Sequence, residues 1–253
     1  MSGHSKWATI RRTKSANDAK RGKLFTKLGH EIAIAAREGG PDPEANFRLR
    51  LVLEKARQAN MPKDNIERAI KRGTGASDEG SQLEEIIYEG YGPHGIAIIV
   101  QVLTDNRNRA VSEVRRAFSR HGGNLGSDGC VAWMFSRKGS ILVSTADQDP
   151  EEVALMAMDT DAEDVEIGED SVEVYTAVED FKKVLDALQE ASLEITNSGL
   201  SWIPQTTVSL EEKETFQVMK LIEALEELDD VQEVFSNLDM SDEMIAKYEA
   251  AAA

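Results

Sequence analysis

The stretch GTGASDEGSQ, residues 73–82, separates two kinds of pattern in this chain of 253 residues. Its Gly and Ser content makes it the most linker-like segment of the sequence. Before it, apolar residues recur at helical spacing. After it, strand-like runs alternate with helices. Reading these ten residues as a connection, and not as part of an element, gives a helical module followed by α+β structure.

Upstream, Leu24, Phe25, Leu28, Ile32 and Ala36 recur at helical spacing from about Asn17 to Arg37, and Gly39, Gly40 and Pro41 end the pattern. Pro43 is placed to open a second helix, carried by Phe47, Leu49, Leu51, Val52, Leu53 and Ala56 to Asn60. A third runs from Pro62 through Ile66, Ala69 and Ile70 to Gly73. Downstream, LEEIIYE and GIAIIVQVLT read as strands joined through GYGP, and a helix follows from about Arg107 to Arg120, stopped by Gly122 and Gly123. The strand VAWMFSRKGSILVST, a helix near Pro150 to Met158, the strands DVEIG and SVEVYTA, a helix near Glu179 to Glu190 and LEITNSGLSWI complete a β-α-β-β-α-β order. That order resembles a ferredoxin-like sandwich. TTVSL, a helix from about Glu211 to Leu228 and DVQEVFSNL add two strands and a helix. The expected fold class is α+β, a three-helix domain followed by two α+β domains, one of them ferredoxin-like. The expected boundaries are a basic helical domain with a flexible arm over 1–78, a discontinuous α+β domain over 79–130 and 204–240, and the ferredoxin-like domain over 131–203.

Charge follows the same division. Residues 1–75 carry 17 basic and 8 acidic groups, net +9, whereas residues 76–253 carry 12 basic and 38 acidic groups, net -26. Such two-endedness suits a basic module that meets a polyanion, held on an acidic body that the polyanion repels. In the first module the candidates are Lys6, Arg11, Arg12, Lys14, Lys20, Arg21, Lys23 and Lys27, with Trp7 in the arm as a base-stacking side chain. Lys20, Lys23 and Lys27 fall within a narrow arc beside the apolar face, at about 100° per residue. Phe25 lies on the packing face and reads as core.

A second patch is expected on the helix after TDN, where Asp105 or Asn106 can cap and Ala110, Val111, Val114 and Phe118 form the apolar face. Arg107 opens this helix, and Arg109, Arg116 and Arg120 share its opposite side, where three guanidinium forks could grip phosphates. Glu113 among them also allows a surface ladder of ion pairs.

Catalytic chemistry has no constellation. Gly90, Gly92 and Gly95 fit G-x-G-x-x-G, but a strand follows where a dinucleotide site needs a helix N-terminus, and Arg115 stands where a ribose-binding acid belongs. The glycines read as a hairpin connection. No nucleophile elbow, phosphate loop, zinc-protease or paired-cysteine signature occurs. Cys130 is the single cysteine, beside Gly129, Val131 and Ala132, and reads as a small buried side chain. The four histidines are scattered. No catalytic residue, metal ligand, cofactor or small-molecule substrate is expected. No apolar run reaches the about 18 residues of a membrane span. The first 25 residues share the Arg, Ser and Lys richness of a mitochondrial transit peptide, yet their pattern runs straight into a helix.

The blocks MSGHSKWATIRRTKSANDAKRGKLFTKL, GGPDPEANFRLR, NMPKDNIERAIKRGTG, YEGYGPHGIA, TDNRNRAVSEVRRAF, HGGNLGSDGCVAWMF and LDDVQEVFSNLD resemble successive signature blocks of the YebC/PmpR family, with Cys130 where Ser is expected. The resemblance implies a three-domain, cytoplasmic, non-enzymatic regulator of gene expression, commonly described as a DNA-binding transcriptional regulator. Mitochondrial relatives resemble translational activators of cytochrome c oxidase, and bacterial members have been assigned to translation on the ribosome. The resemblance therefore does not choose between duplex DNA and ribosomal RNA or the ribosome as the partner, bound by a monomer. The rival reading is a protein-interaction adaptor that works through its acidic portion.

Overall fold

The computed structural model describes residues 18–75, 83–145, 148–168 and 170–252. They form two compact units: the described residues up to Asp128 with Gln217–Val234, and Gly129–Phe216 with the chain from Phe235 onward.

The first unit begins with three helices, α1 (Asp18–Gly39), α2 (Phe47–Gln58) and α3 (Lys63–Gly73). Leu28, Ile32 and Ala36 of α1 close on Leu49, Val52, Leu53 and Ala56 of α2 and Ala69 of α3, with Phe25 packed against them. Gly73 lets the end of α3 lie directly on the Ala33 backbone of α1, where any Cβ would collide. Pro43 does not open α2. Asn46 does, because its buried side chain accepts from Leu49 N at 3.0 Å and donates to the carbonyls of Ala35 at 2.7 Å and Gly40 at 2.8 Å. One amide thereby caps α2 and closes the end of α1.

The first sheet has the order β3-β1-β2-β8, with β1 (Glu84–Tyr91), β2 (Ala97–Thr104), β3 (Asn124–Leu125) and β8 (Val231–Ser236). β1 and β2 are an antiparallel pair running from Glu84 opposite Thr104 to Tyr91 opposite Ala97. Their connection is a 3-10 turn, Pro93–Gly95, with His94 and Gly95 at φ 58° and 76°. GYGPHG is thus a hairpin connection. The helix α4 (Arg107–Arg120) buries Ala110, Val114, Ala117 and Phe118, and its cap is Asn106, whose side chain accepts from Arg109 N. Ala33 and Ile34 of α1 are buried with Leu83 and with Leu103 of β2. Residues 32–36 are therefore buried in succession, since α1 has partners on two sides.

In the second unit, β4 (Phe135–Ser144), α5 (Pro150–Met158), β5 (Asp164–Ile167), β6 (Ser171–Thr176), α6 (Phe181–Glu190) and β7 (Ile195–Pro204) follow the expected β-α-β-β-α-β order. The sheet order is β5-β6-β4-β7, antiparallel throughout. α5 packs on β5 and β6, and α6 on β4 and β7. TTVSL is not a strand; it contributes one parallel bridge, Val208 with Leu238. The helix α7 (Glu212–Glu226) precedes β8, and a further helix, α8 (Asp242–Ala252), sets Tyr248 edge-on against Phe216 at 5.1 Å.

Candidate nucleic-acid interface

Lys6, Trp7, Arg11, Arg12 and Lys14 lie outside the described residues. Lys20 has its backbone in the first turn of α1, with its side chain outside the description. Arg21 is exposed and holds its guanidinium 5.9 Å from the centre of the Phe25 ring.

The other two lysines of the α1 stripe have protein partners. Lys23 Nζ donates to the Glu227 carbonyl at 3.0 Å, and Lys27 Nζ to the Glu226 carbonyl at 2.7 Å. These carbonyls end α7, whose last turn lacks basic residues. Two ammonium groups from α1 therefore satisfy orphan acceptors and meet the negative end of the helix dipole. At these two positions the basic stripe forms a seam between elements of one unit.

Arg109 is bound in the same way. Its Nη2 donates to Asp230 Oδ2 at 2.8 Å and Oδ1 at 2.9 Å, its Nε to Oδ2 at 3.2 Å, and Nη2 also to Asp105 Oδ1 at 3.0 Å. Asp230 is buried and takes a further hydrogen bond from Thr104 Oγ1 at 2.9 Å. Hydrogen bonds that the Asp230 carboxylate accepts raise the Arg109 guanidinium above its ordinary range, against the cost of burial. Arg72 of α3 reaches Asp105 at 3.9 Å, and His30 of α1 feels Arg72, Asp230, Asp105 and Arg109. Burial foremost, then Arg72, holds the His30 imidazole below its ordinary value. This network joins α1 and α3 to the start of α4.

Arg107 is exposed; burial pushes the Tyr88 phenol up, and the Arg107 charge opposes that rise. Arg116 and Arg120 are exposed, with no ion pair or side-chain hydrogen bond among the described residues. Their positions on α4 put them on one side of the helix, about 130° from its buried face. Neighbouring Arg115 is exposed and equally unpaired among the described residues. Arg57 of α2 and Arg68 and Lys71 of α3 share that condition. Sequence reasoning counted them in the net charge without singling them out, because no aromatic residue lies among them.

Trp133 was also missed. It sits in a 3-10 turn, Ala132–Met134, where its side chain is 69 % exposed and its Nε1 donates to the Cys130 carbonyl at 3.1 Å. Assigning VAWMF to strand interior hid this turn. A fixed, open indole can stack on a base. Cys130 itself is half-buried, not buried. Among the described residues no group of three or more His, Cys, Asp or Glu is placed to hold a metal ion, and no helix is long and apolar enough to cross a membrane.

Two family models match: the TACO1/YebC protein N-terminal domain over residues 5–76, and the TACO1/YebC second and third domain over 83–238. A Dehalococcoides mccartyi protein named "Probable transcriptional regulatory protein" is 52 % identical over 252 residues, covering 100 % of both chains. A Herpetosiphon aurantiacus protein of the same description is 53 % identical over 249 residues, 98 % of each chain. A conserved hypothetical protein of Aquifex aeolicus, known from a crystal structure, matches with a TM-score of 0.82 and 49 % identity over 89 % of this chain and 93 % of that one.

Proposed function

Since the chain belongs to the TACO1/YebC family, we propose that it is a non-enzymatic regulator of transcription that binds duplex DNA through phosphate contacts. The observation that carries this reading is the segregation of charge, 17 basic against 8 acidic groups in residues 1–75 and 12 against 38 beyond. Binding by counterion release needs cations that the protein leaves uncommitted. Arg116 and Arg120 meet that condition and provide the contact on α4, while Lys6, Arg11, Arg12, Lys14, Lys20 and Arg21 provide the contact of the N-terminal segment, with Trp7 stacking. The acidic remainder orients the molecule and limits indiscriminate coating of DNA.

One observation favours ribosomal RNA as the target. A recognition helix presents its N-terminal residues to a groove. In α4 the N-terminal Arg109 is tied to Asp230, and the unpaired arginines stand at the other end. That placement suits phosphate and shape contacts on RNA better than base readout.

The test is the affinity of the full chain for a promoter duplex, a random duplex and intact ribosomes, each over a salt series. A promoter preference of about a thousandfold at physiological salt supports transcriptional control. Tight ribosome binding beside weak, steeply salt-dependent and sequence-blind DNA binding assigns the protein to translation.

A further inference from the structure

Helix α5 has no polar face along its last two turns: Val153, Ala154, Leu155, Met156, Ala157 and Met158 follow without interruption. A helix that is apolar all round is ordinarily covered on every side. α5 is covered on one. Val153, Ala154 and Ala157 are buried, while Leu155, Met156 and Met158 are 68 %, 42 % and 47 % exposed. The companion helix α6 shows what a satisfied helix on this sheet looks like, with Phe181, Val184, Leu185 and Leu188 buried and Lys182, Lys183 and Asp186 outside.

The charges around this patch have one sign. Glu151 and Glu152 lie four and three residues before Leu155, and Asp159 four after it, so all three adjoin its side chain on the helix surface. They are exposed and have no ion pair among the described residues. Nearby acids away from the patch are paired, Asp161 with Lys183 and Glu163 with Lys138. The surrounding chain, residues 129–216, has five basic and twenty acidic residues.

We propose that the outer face of α5 docks a basic, apolar segment of another protein, with Leu155 and the two methionines receiving its apolar side chains and the flanking carboxylates its lysines or arginines. Charge complementarity selects this occupant. Nucleic acid and anionic lipid would meet charge of their own sign. A stable dimer buries about 1,200–2,000 Å², more than a nine-residue helix can provide. Flexible thioethers adapt to varied apolar side chains, as expected of a transient, salt-sensitive contact.

The probe is a fluorescent amphipathic peptide of Leu and Lys, with a shuffled peptide of identical composition and no apolar face as the control. Titrated with the full chain, the amphipathic peptide binds at least about tenfold more tightly than the shuffled one. Leu155→Ser, Met156→Ser and Met158→Ser together abolish that preference, and Glu151→Gln, Glu152→Gln and Asp159→Asn weaken both peptides alike. Hydrogen exchange on the unmodified chain slows over 150–158 when the peptide is bound, a readout independent of any variant. Equal affinity for the two peptides, preference retained in the serine variant, or protection confined to other segments would overturn the proposal. So would sedimentation showing the chain alone to be a dimer that the serine variant dissociates, since a second copy would then occupy the face.

Discussion

The two ends of α4 use the same residue in opposite ways. At the N-terminal end, Arg109 spends its guanidinium on the buried Asp230 and on Asp105. At the C-terminal end, Arg116 and Arg120 stand in solvent without a described partner. Lys23 and Lys27 of α1 fall with Arg109, because each is committed to a terminal carbonyl of α7. Charge counting registers all five cations equally, yet a committed cation must give up its protein partner to meet a phosphate. What sorts them is the partner, and the partner comes from a distant stretch, residues 226–230.

The largest effect expected from this division is on stability. Arg109→Ala leaves the buried Asp230 carboxylate with the Thr104 hydroxyl as its remaining hydrogen-bond donor among the described residues and should cost about 3 kcal/mol in urea unfolding. Asp230→Ala should cost less, since it leaves a half-exposed guanidinium that water can solvate. Neither change should alter nucleic-acid affinity measured on folded protein. A tenfold loss of affinity at unchanged stability would put Arg109 among the phosphate contacts and break the division.

Arg116→Glu with Arg120→Glu should do the reverse. Stability should stay within about 0.5 kcal/mol, as for surface positions generally, and affinity should fall by about tenfold or more. Neutralising the pair to Gln should lower the slope of log K against log salt by about 2, the value for two phosphates. An unchanged slope would remove α4 from the interface.

The fold was legible to different degrees in different places, for local reasons. The helix from about Arg107 to Arg120 was legible because a capping residue precedes it and two glycines follow. The β-α-β-β-α-β order was legible because its strands and helices are short and separated by turn residues. The start of α2 was misplaced because the decisive contacts of Asn46 reach back to Ala35 and Gly40, across a turn that periodicity does not register. TTVSL had strand composition but lacks a ladder partner beyond one bridge. In the candidate site, the identity of the basic residues was plain, whereas their commitment was not. Asp230 lies 121 residues from Arg109, and Glu226 lies 199 from Lys27.

His30 gives the division a pH signature. Its imidazole is held below the ordinary value of about 6.5, first by burial and then by Arg72, with Arg109 adding to them and Asp230 and Asp105 opposing. Its Nδ1 is buried without a hydrogen-bond partner among the described residues. The folded state therefore prefers the neutral ring, and the unfolded chain binds the proton more readily. Stability from this group is complete above about pH 6.5 and is lost as pH falls toward the lower folded value. Urea midpoints for His30→Gln should be flatter than those of the parent between about pH 7.5 and 5.5. If the two profiles are parallel, His30 is not a titrating member of the network.

The smallest effect separates a seam from an interface most sharply. Lys23→Ala and Lys27→Ala should each cost about 0.3–1 kcal/mol, the range for a cation at a helix C-terminus. Lys27, half-buried and at 2.7 Å, should lie near the top of that range and the exposed Lys23, at 3.0 Å, near the bottom. A helix end presents about half a negative charge, a phosphate a full one, so a phosphate within reach could draw either lysine away from its carbonyl. Thermal stability alone cannot detect that competition, but the salt dependence of binding can. With Arg116 and Arg120 intact, Lys27→Ala should leave the salt slope unchanged, because a lysine retained by Glu226 releases no counterion on binding. A slope lowered by about 1 would mean that Lys27 exchanges a carbonyl for a phosphate on binding, and the seam between α1 and α7 would then open when nucleic acid arrives.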